Sequence, residues 1–242
     1  MSAPTLFQRA VQLHKSRQLS QAIALYQEYL SATQDPAAEH YLGLALIQNR
    51  RPKDGLAHLR RATEAAPDNA LYWTNLGKAL LQSPDREGAR TAFETATTLN
   101  PQDAESWNNL AGLERQSGAL DRAIAAYQNA LALRDHPAIA LNLGLVAKDA
   151  GDRSLARDAF NQVIAKSPKP IRALVQLASM ATEDGAFDEA ETLLLRAYDL
   201  DPTSARSLAA LLTLRSYQPS AEVLGAAERV LMSRGEEDEK IR

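Results

Sequence analysis

Trp73-Thr-Asn-Leu-Gly77 falls over Trp107-Asn-Asn-Leu-Ala111 when the chain is written against itself at a shift near 34, and Ala140-Leu-Asn-Leu-Gly144 follows one period later. The register extends outward from these three stretches. Twelve residues beyond each small residue stands another, giving Ala89, Ala123, Ala156 and Ala190, and four residues further on come Phe93, Tyr127, Phe160 and Leu194. Ala96, Ala130, Val163 and Ala197 follow in step. Pro67, Pro101, Pro168 and Pro202 close their units at one phase, while the fourth junction has Asp135 there and Pro137 two positions on, one residue short of the period.

Each unit holds two stretches with apolar residues at i, i+3, i+4 and i+7, separated by a breaker, which predicts a helical hairpin. The paired small residues, Gly43, Gly77, Ala111, Gly144 and Ala178 in the first helix and the alanines in the second, let two backbones approach closely. Gly118, Gly151 and Gly185 fall where the first helix must end, and glycine enters the left-handed region without a Cβ penalty. Asp121, Ser154 and Asp188 follow and are expected to accept from the orphan N–H groups of the next helix. Each closing proline lacks an N–H and restricts the residue before it, so the second helix stops there.

On these residues the chain resembles the tetratricopeptide repeat family over essentially its whole length. The resemblance implies an all-α fold, a right-handed superhelical solenoid of helix-turn-helix repeats. The units are read as 3–35, 36–69, 70–103, 104–136, 137–170, 171–204 and a degenerate seventh at 205–238, so that 1–238 form a single solenoid and 239–242 a charged tail. The seventh has Arg215 where an apolar residue is usual and Pro219 at its turn. The acidic end Gly235-Glu-Glu-Asp-Glu-Lys-Ile-Arg242 reads equally as a solubilising cap and as a cut within a longer protein. One hairpin cannot bury its apolar stripe alone, so stability is expected to come from neighbouring interfaces.

Composition narrows the function. A chain of 242 residues that is 45% hydrophobic, 24% charged and 5% aromatic is neither disordered nor collagenous. Its 27 basic and 30 acidic residues give a formal charge of −3, too little positive field to hold nucleic acid. With no Cys there is no disulfide frame and no thiolate zinc site, and His14, His40, His58 and His136 form no HxxxH or HExxH pair, so neither a metal nor a cofactor is expected. The amino terminus has no signal-peptide pattern and no segment offers about 18 consecutive apolar residues, which makes no membrane span and a cytoplasmic location the default expectations. No nucleophile elbow, P-loop or paired carboxylates in a strand context support independent catalysis, the helices are expected to carry their charges on solvent faces, and Glu87, Asp121 and Asp188 read as helix starts.

In the family that the chain resembles, the first helices of successive units line a concave face. The sixth position of these helices carries Asn75, Asn109 and Asn142, continued by Gln176 and preceded by Tyr41. An amide donates and accepts at once and so matches an extended peptide backbone. The arrangement is similar to the asparagine ladder of O-linked N-acetylglucosamine transferases, which implies recognition of backbone more than of sequence. Lys78, Arg115, Lys148 and Arg172 alternate with Glu105, Asp149 and Glu183, so no channel of one sign is expected. Phe7 and Tyr41, among Val11, Leu44 and Ile47, form the candidate aromatic anchor. The fifth position holds Phe7, His40, Thr74, Asn108, Leu141, Val175 and Ala209, which lacks the Lys and Asn clamp of chaperone-tail binders.

The function expected is a non-catalytic scaffold that binds an extended peptide or partner segment of another protein in its groove. The alternative is a substrate-recruiting arm of a bacterial transferase, similar to repeat-sulfotransferase proteins, with its catalytic domain beyond Arg242. A helical-repeat RNA binder would need a basic groove. Oligomeric state is left open.

Overall fold

The computed structural model describes residues 3–214 and 217–240, and Arg215 therefore lies outside the described residues. Among them are fourteen helices and no strand, so the chain is an all-α repeat solenoid of the kind the hydrophobic period implies. Contacts divide the chain into two compact units, Met1–Arg134 and Asp135–Arg242.

The first unit contains four hairpins: α1 (Ala3–Lys15) with α2 (Leu19–Leu30), α3 (Pro36–Gln48) with α4 (Pro52–Ala65), α5 (Ala70–Leu80) with α6 (Arg86–Leu99), and α7 (Ala104–Gln116) with α8 (Leu120–Leu133). Within it the second helix of each hairpin packs on the first helix of the next. The second unit contains α9 (Pro137–Asp149) with α10 (Arg153–Lys166), α11 (Ile171–Glu183) with α12 (Phe187–Leu200), then the short α13 (Ala205–Thr213) and the long α14 (Ala221–Lys240).

The small residues have the role that the spacing predicts. Ala89, Ala123, Ala156 and Ala190 are fully buried, with Phe93, Tyr127, Phe160 and Leu194 beside them. A Cβ on Gly77 would meet Phe93 Cζ at 2.8 Å, and one on Gly144 would meet Phe160 Cε1 at 2.5 Å, so these glycines mark true backbone contact with a ring. In the first-helix exits Gly118, Gly151 and Gly185 adopt φ of +81°, +81° and +76°. The first two hairpins solve the same turn without glycine, since Arg17 and Arg50 take φ of 62° and 61° at the equivalent step, a conformation that costs about 1 kcal/mol for a residue with a Cβ.

Two expectations need correction. Asp121 and Asp188 sit in the first turns of α8 and α12 but do not cap them; the N-caps are Ala119 and Ala186, without a side-chain acceptor. α10 is capped by Asp152, which accepts from Leu155 N–H at 3.0 Å, and Ser154 lies one step inside. Each cap falls two residues earlier than the polar pattern suggests, so the helix begins before those residues, and Asp121 and Asp188 act through its dipole. Nor do all charges lie on solvent faces: Glu114 on α7 is 2% exposed, with Arg90 Nε at 3.4 Å and Arg122 Nη2 at 3.0 Å.

Candidate functional site

The amino-terminal hairpins gather aromatic rings from three helices. Phe7 on α1 lies 6.0 Å from Tyr26 and 5.4 Å from Tyr29 on α2, and 5.9 Å edge-on from Tyr41 on α3. Tyr41 also stacks on Tyr26, the centroids 6.3 Å apart and the planes 13° from parallel. Tyr26 is fully buried, whereas Tyr41 remains 37% exposed. Burial pushes the Tyr26 phenol far above its ordinary range, so it stays a neutral hydroxyl. His14 completes the floor: its Nε2 faces Gln48 Oε1 at 3.3 Å and its Nδ1 faces Tyr26 Oη at 3.5 Å. Gln48 Oε1 can only accept, so Nε2 of His14 carries the proton and Nδ1 accepts from the phenol. Val11, Leu44 and Ile47, expected near the anchor, are half-buried and pack into the core instead.

The amide row divides into committed and uncommitted members. Asn75 Nδ2 donates to His40 Nε2 at 2.9 Å, and His40, 3% exposed, stacks on Tyr72 with centroids 4.6 Å apart. Burial, with a smaller contribution from His14, pushes the His40 imidazole down to about 4. His40 is therefore neutral near pH 7, with its proton on Nδ1 and its Nε2 lone pair held by Asn75. Asn109 in the first unit and Asn142 and Gln176 in the second are half-buried, and their side chains make no hydrogen bond among the described residues.

The expected basic members are largely neutralised by neighbours. Lys78 pairs with Glu105 at 2.7 Å, and Lys148 meets Ser179 Oγ at 2.8 Å and Glu183 at 3.1 Å. Arg115 is half-buried, and its charge opposes the upward shift that burial imposes on Tyr127. Lys78 and Lys148 thus each form an ion pair with the next repeat of their own unit, whereas Arg172 forms none among the described residues.

The sequence reading missed contacts that couple those repeats. Thr74 Oγ1 is 2.8 Å from Ser106 Oγ, and both hydroxyls donate to Asp103 Oδ2, at 3.1 and 2.6 Å. The same Asp103 caps α7 through Glu105 N–H. Trp73 Nε1 donates to the Pro67 carbonyl at 2.8 Å, and Trp107 Nε1 to that of Pro101 at 2.9 Å. The signal was present as a recurring Pro and Trp six residues apart, Pro67 with Trp73 and Pro101 with Trp107.

Among the described residues no group of three or more His, Cys, Asp and Glu converges as metal ligands, and no helix is long and apolar enough to cross a membrane.

A profile of the tetratricopeptide repeat matches residues 7–70, 41–87, 74–137 and 141–205. No curated protein matches the chain by sequence. Among solved structures, the chain is similar to PilF of Pseudomonas aeruginosa at 19% identity and a TM-score of 0.67, covering 86% of this chain and 95% of that one. It is similar to YrrB, described as a TPR protein with an unusual peptide-binding site, at 20% identity and a TM-score of 0.64, covering 72% and 90%. A structure of MamA gives 21% identity and a TM-score of 0.61, covering 65% and 93%. At these identities the likeness is one of fold.

Proposed function

The chain belongs to the tetratricopeptide repeat family, whose stacked hairpins serve as protein-interaction scaffolds, and on that premise we propose that it binds an extended segment of a partner protein along its first-helix face. The observation that supports this most directly is the Tyr41 ring. It is exposed, yet its orientation is set by Tyr26 beneath it and by Phe7 and His40 at its edges. A ring already ordered in the free protein loses little rotamer freedom when a partner covers it, which is the economy that makes tyrosine an effective contact residue. In this reading Tyr41, with Phe7 behind it, seats an apolar side chain of the segment. Asn109 in the same unit offers its amide to peptide N–H and C=O groups; Asn142 and Gln176 offer theirs on the face of the other unit by itself. Asn75 supports the face from below by fixing His40, Lys78 and Arg115 shape it through their neighbours, and Lys148 does so for the face of the second unit.

The test is capture of partners by the native chain and by Tyr41→Ala and Asn109→Ala variants, each shown to be helical by circular dichroism. Segments identified by mass spectrometry are then resynthesised for fluorescence anisotropy. Loss of a defined segment in both variants supports the reading. A segment bound equally by native protein and both variants places recognition elsewhere and refutes it.

A further inference from the structure

A second recognition surface lies in the Asp135–Arg242 unit, at the turn from α10 into α11. A cavity of about 590 Å³ opens there, walled by Leu141, Val163 and Ile171. That volume is in the range of sites that enclose a side chain or small ligand, about 300–1,000 Å³. Lys166, Lys169, Arg172 and Arg206 stand on its lining, the first paired with Asp135 outside it, and no Asp or Glu lines it.

The last three differ from the cations of α9 and α10. Arg153 pairs with Glu183 and Asp184, Arg157 with Asp184 and Glu189, Lys148 with Glu183, and Lys166 with Asp135. Among the described residues Lys169, Arg172 and Arg206 are exposed and have no carboxylate partner. Asp201 feels the charge of Lys169, but its Oδ1 accepts from Thr203 N–H at 2.9 Å and from the Thr203 hydroxyl at 2.6 Å. The start of α11 reinforces the same sign. At the phase where Asp35, Asn69, Asp103, His136 and Ser204 cap their helices, Pro170 offers no side-chain acceptor. An apolar hollow on which three of the four lining cations form no salt bridge among the described residues, on a chain whose formal charge is −3, calls for an occupant with carboxylates around a hydrophobic side chain. A nucleic acid fits poorly, since no Phe, Tyr or Trp lines the cavity and its one ring, His136, is held as the cap of α9, its Nδ1 accepting from Ala138 N–H at 3.2 Å.

We propose that this cavity docks an acidic peptide segment, its aliphatic side chain against Leu141, Val163 and Ile171 and its carboxylates on Lys169, Arg172 and Arg206. The site lies at the helix starts and the α10–α11 turn, and it operates whether or not the Tyr41 face binds a partner.

The experiment is fluorescence anisotropy of the full chain with labelled Glu-Asp-Leu-Glu-Glu amide. Binding is expected to weaken roughly tenfold for Gln-Asn-Leu-Gln-Gln and roughly tenfold for Glu-Asp-Gly-Glu-Glu, the two losses reporting charge and apolar burial separately. Lys169→Glu with Arg172→Glu and Arg206→Glu should lower affinity by at least tenfold, and Ala138→Trp, which fills the mouth while keeping the charges, should do the same. Tyr41→Ala should leave the affinity unchanged. The proposal is overturned by absence of saturable binding, by equal affinity for the glycine peptide, by indifference to either cavity variant, by loss of binding in Tyr41→Ala, or by a uridine pentamer that binds as tightly and competes.

Discussion

Gly77→Ala separates close helix contact from ordinary helix propensity. In an open helical position the change should stabilise by about 1 kcal/mol, because alanine orders more readily than glycine. At Gly77, however, the new Cβ would lie 2.8, 2.9 and 3.0 Å from Cζ, Cε1 and Cε2 of Phe93, a ring with no exposed surface. The ring tip has nowhere to go, and overpacking of this kind costs about 1–3 kcal/mol. The expected net effect is a loss of about 1 kcal/mol, the middle of the range left after the propensity gain. Gly112→Ala is the internal control, since its Cβ would find only Tyr127 Oη at 3.8 Å; it should stabilise by about 1 kcal/mol. Phe93→Leu removes the ring tip, so in the double variant the two costs should fall short of their sum by about 1–2 kcal/mol. Urea unfolding followed by tryptophan fluorescence reads the right region, because the chain's two tryptophans, Trp73 and Trp107, both pack against the core cluster that contains Phe93. Stabilisation by Gly77→Ala equal to that by Gly112→Ala, or strict additivity with Phe93→Leu, would refute the close approach.

Three further outcomes follow from the buried polar groups. Glu114→Ala should destabilise by about 3 kcal/mol in urea unfolding, because it strips the buried carboxylate from Arg90 and Arg122, and a change under 1 kcal/mol would show the charge to be well solvated. His40 is depressed to about 4 against an ordinary 6.5, so the unfolded chain binds the proton first; its contribution is full above pH 6.5 and is lost as pH falls through 4, roughly 3 kcal/mol in all. His40→Gln should flatten that slope, and an NMR titration placing His40 near 6.5 would contradict it. Asn75→Ala should cost about 1 kcal/mol by leaving His40 Nε2 unpaired, whereas Asn109→Ala should cost under about 0.5 kcal/mol in thermal unfolding.

How much of this was legible in the sequence depends on the distance over which each cause acts. Helix identity and the closing prolines are local: α4, α6 and α12 end at Ala65, Leu99 and Leu200, just short of Pro67, Pro101 and Pro202. Gly118, Gly151 and Gly185 announce their turns because the φ that they adopt is open to few other residues. The same turn is hidden at Arg17 and Arg50, where a charged residue accepts the strain and no compositional mark remains. The caps of α8 and α12 were misplaced because Asp121 and Asp188 are equally plausible at a cap and in a first turn.

The site was legible as positions but not as roles, and the repeat itself explains why. Residues one period apart occupy equivalent places, so sequence alone treats Asn75, Asn109, Asn142 and Gln176 as one series. What distinguishes them is the neighbour that each meets. Asn75 lies beside His40, 35 positions back, and is spent on an imidazole that burial has made neutral. Asn109 has no such partner, because the residue at the matching place is Thr74, whose hydroxyl turns to Ser106 and Asp103. On the proposed reading, a repeat scaffold acquires a binding face where a periodic residue loses its structural partner. On that reading Asn109 and the exposed ring of Tyr41 are the places in the first unit at which a partner segment would gain most, and Asn75 the place at which substitution damages the scaffold first.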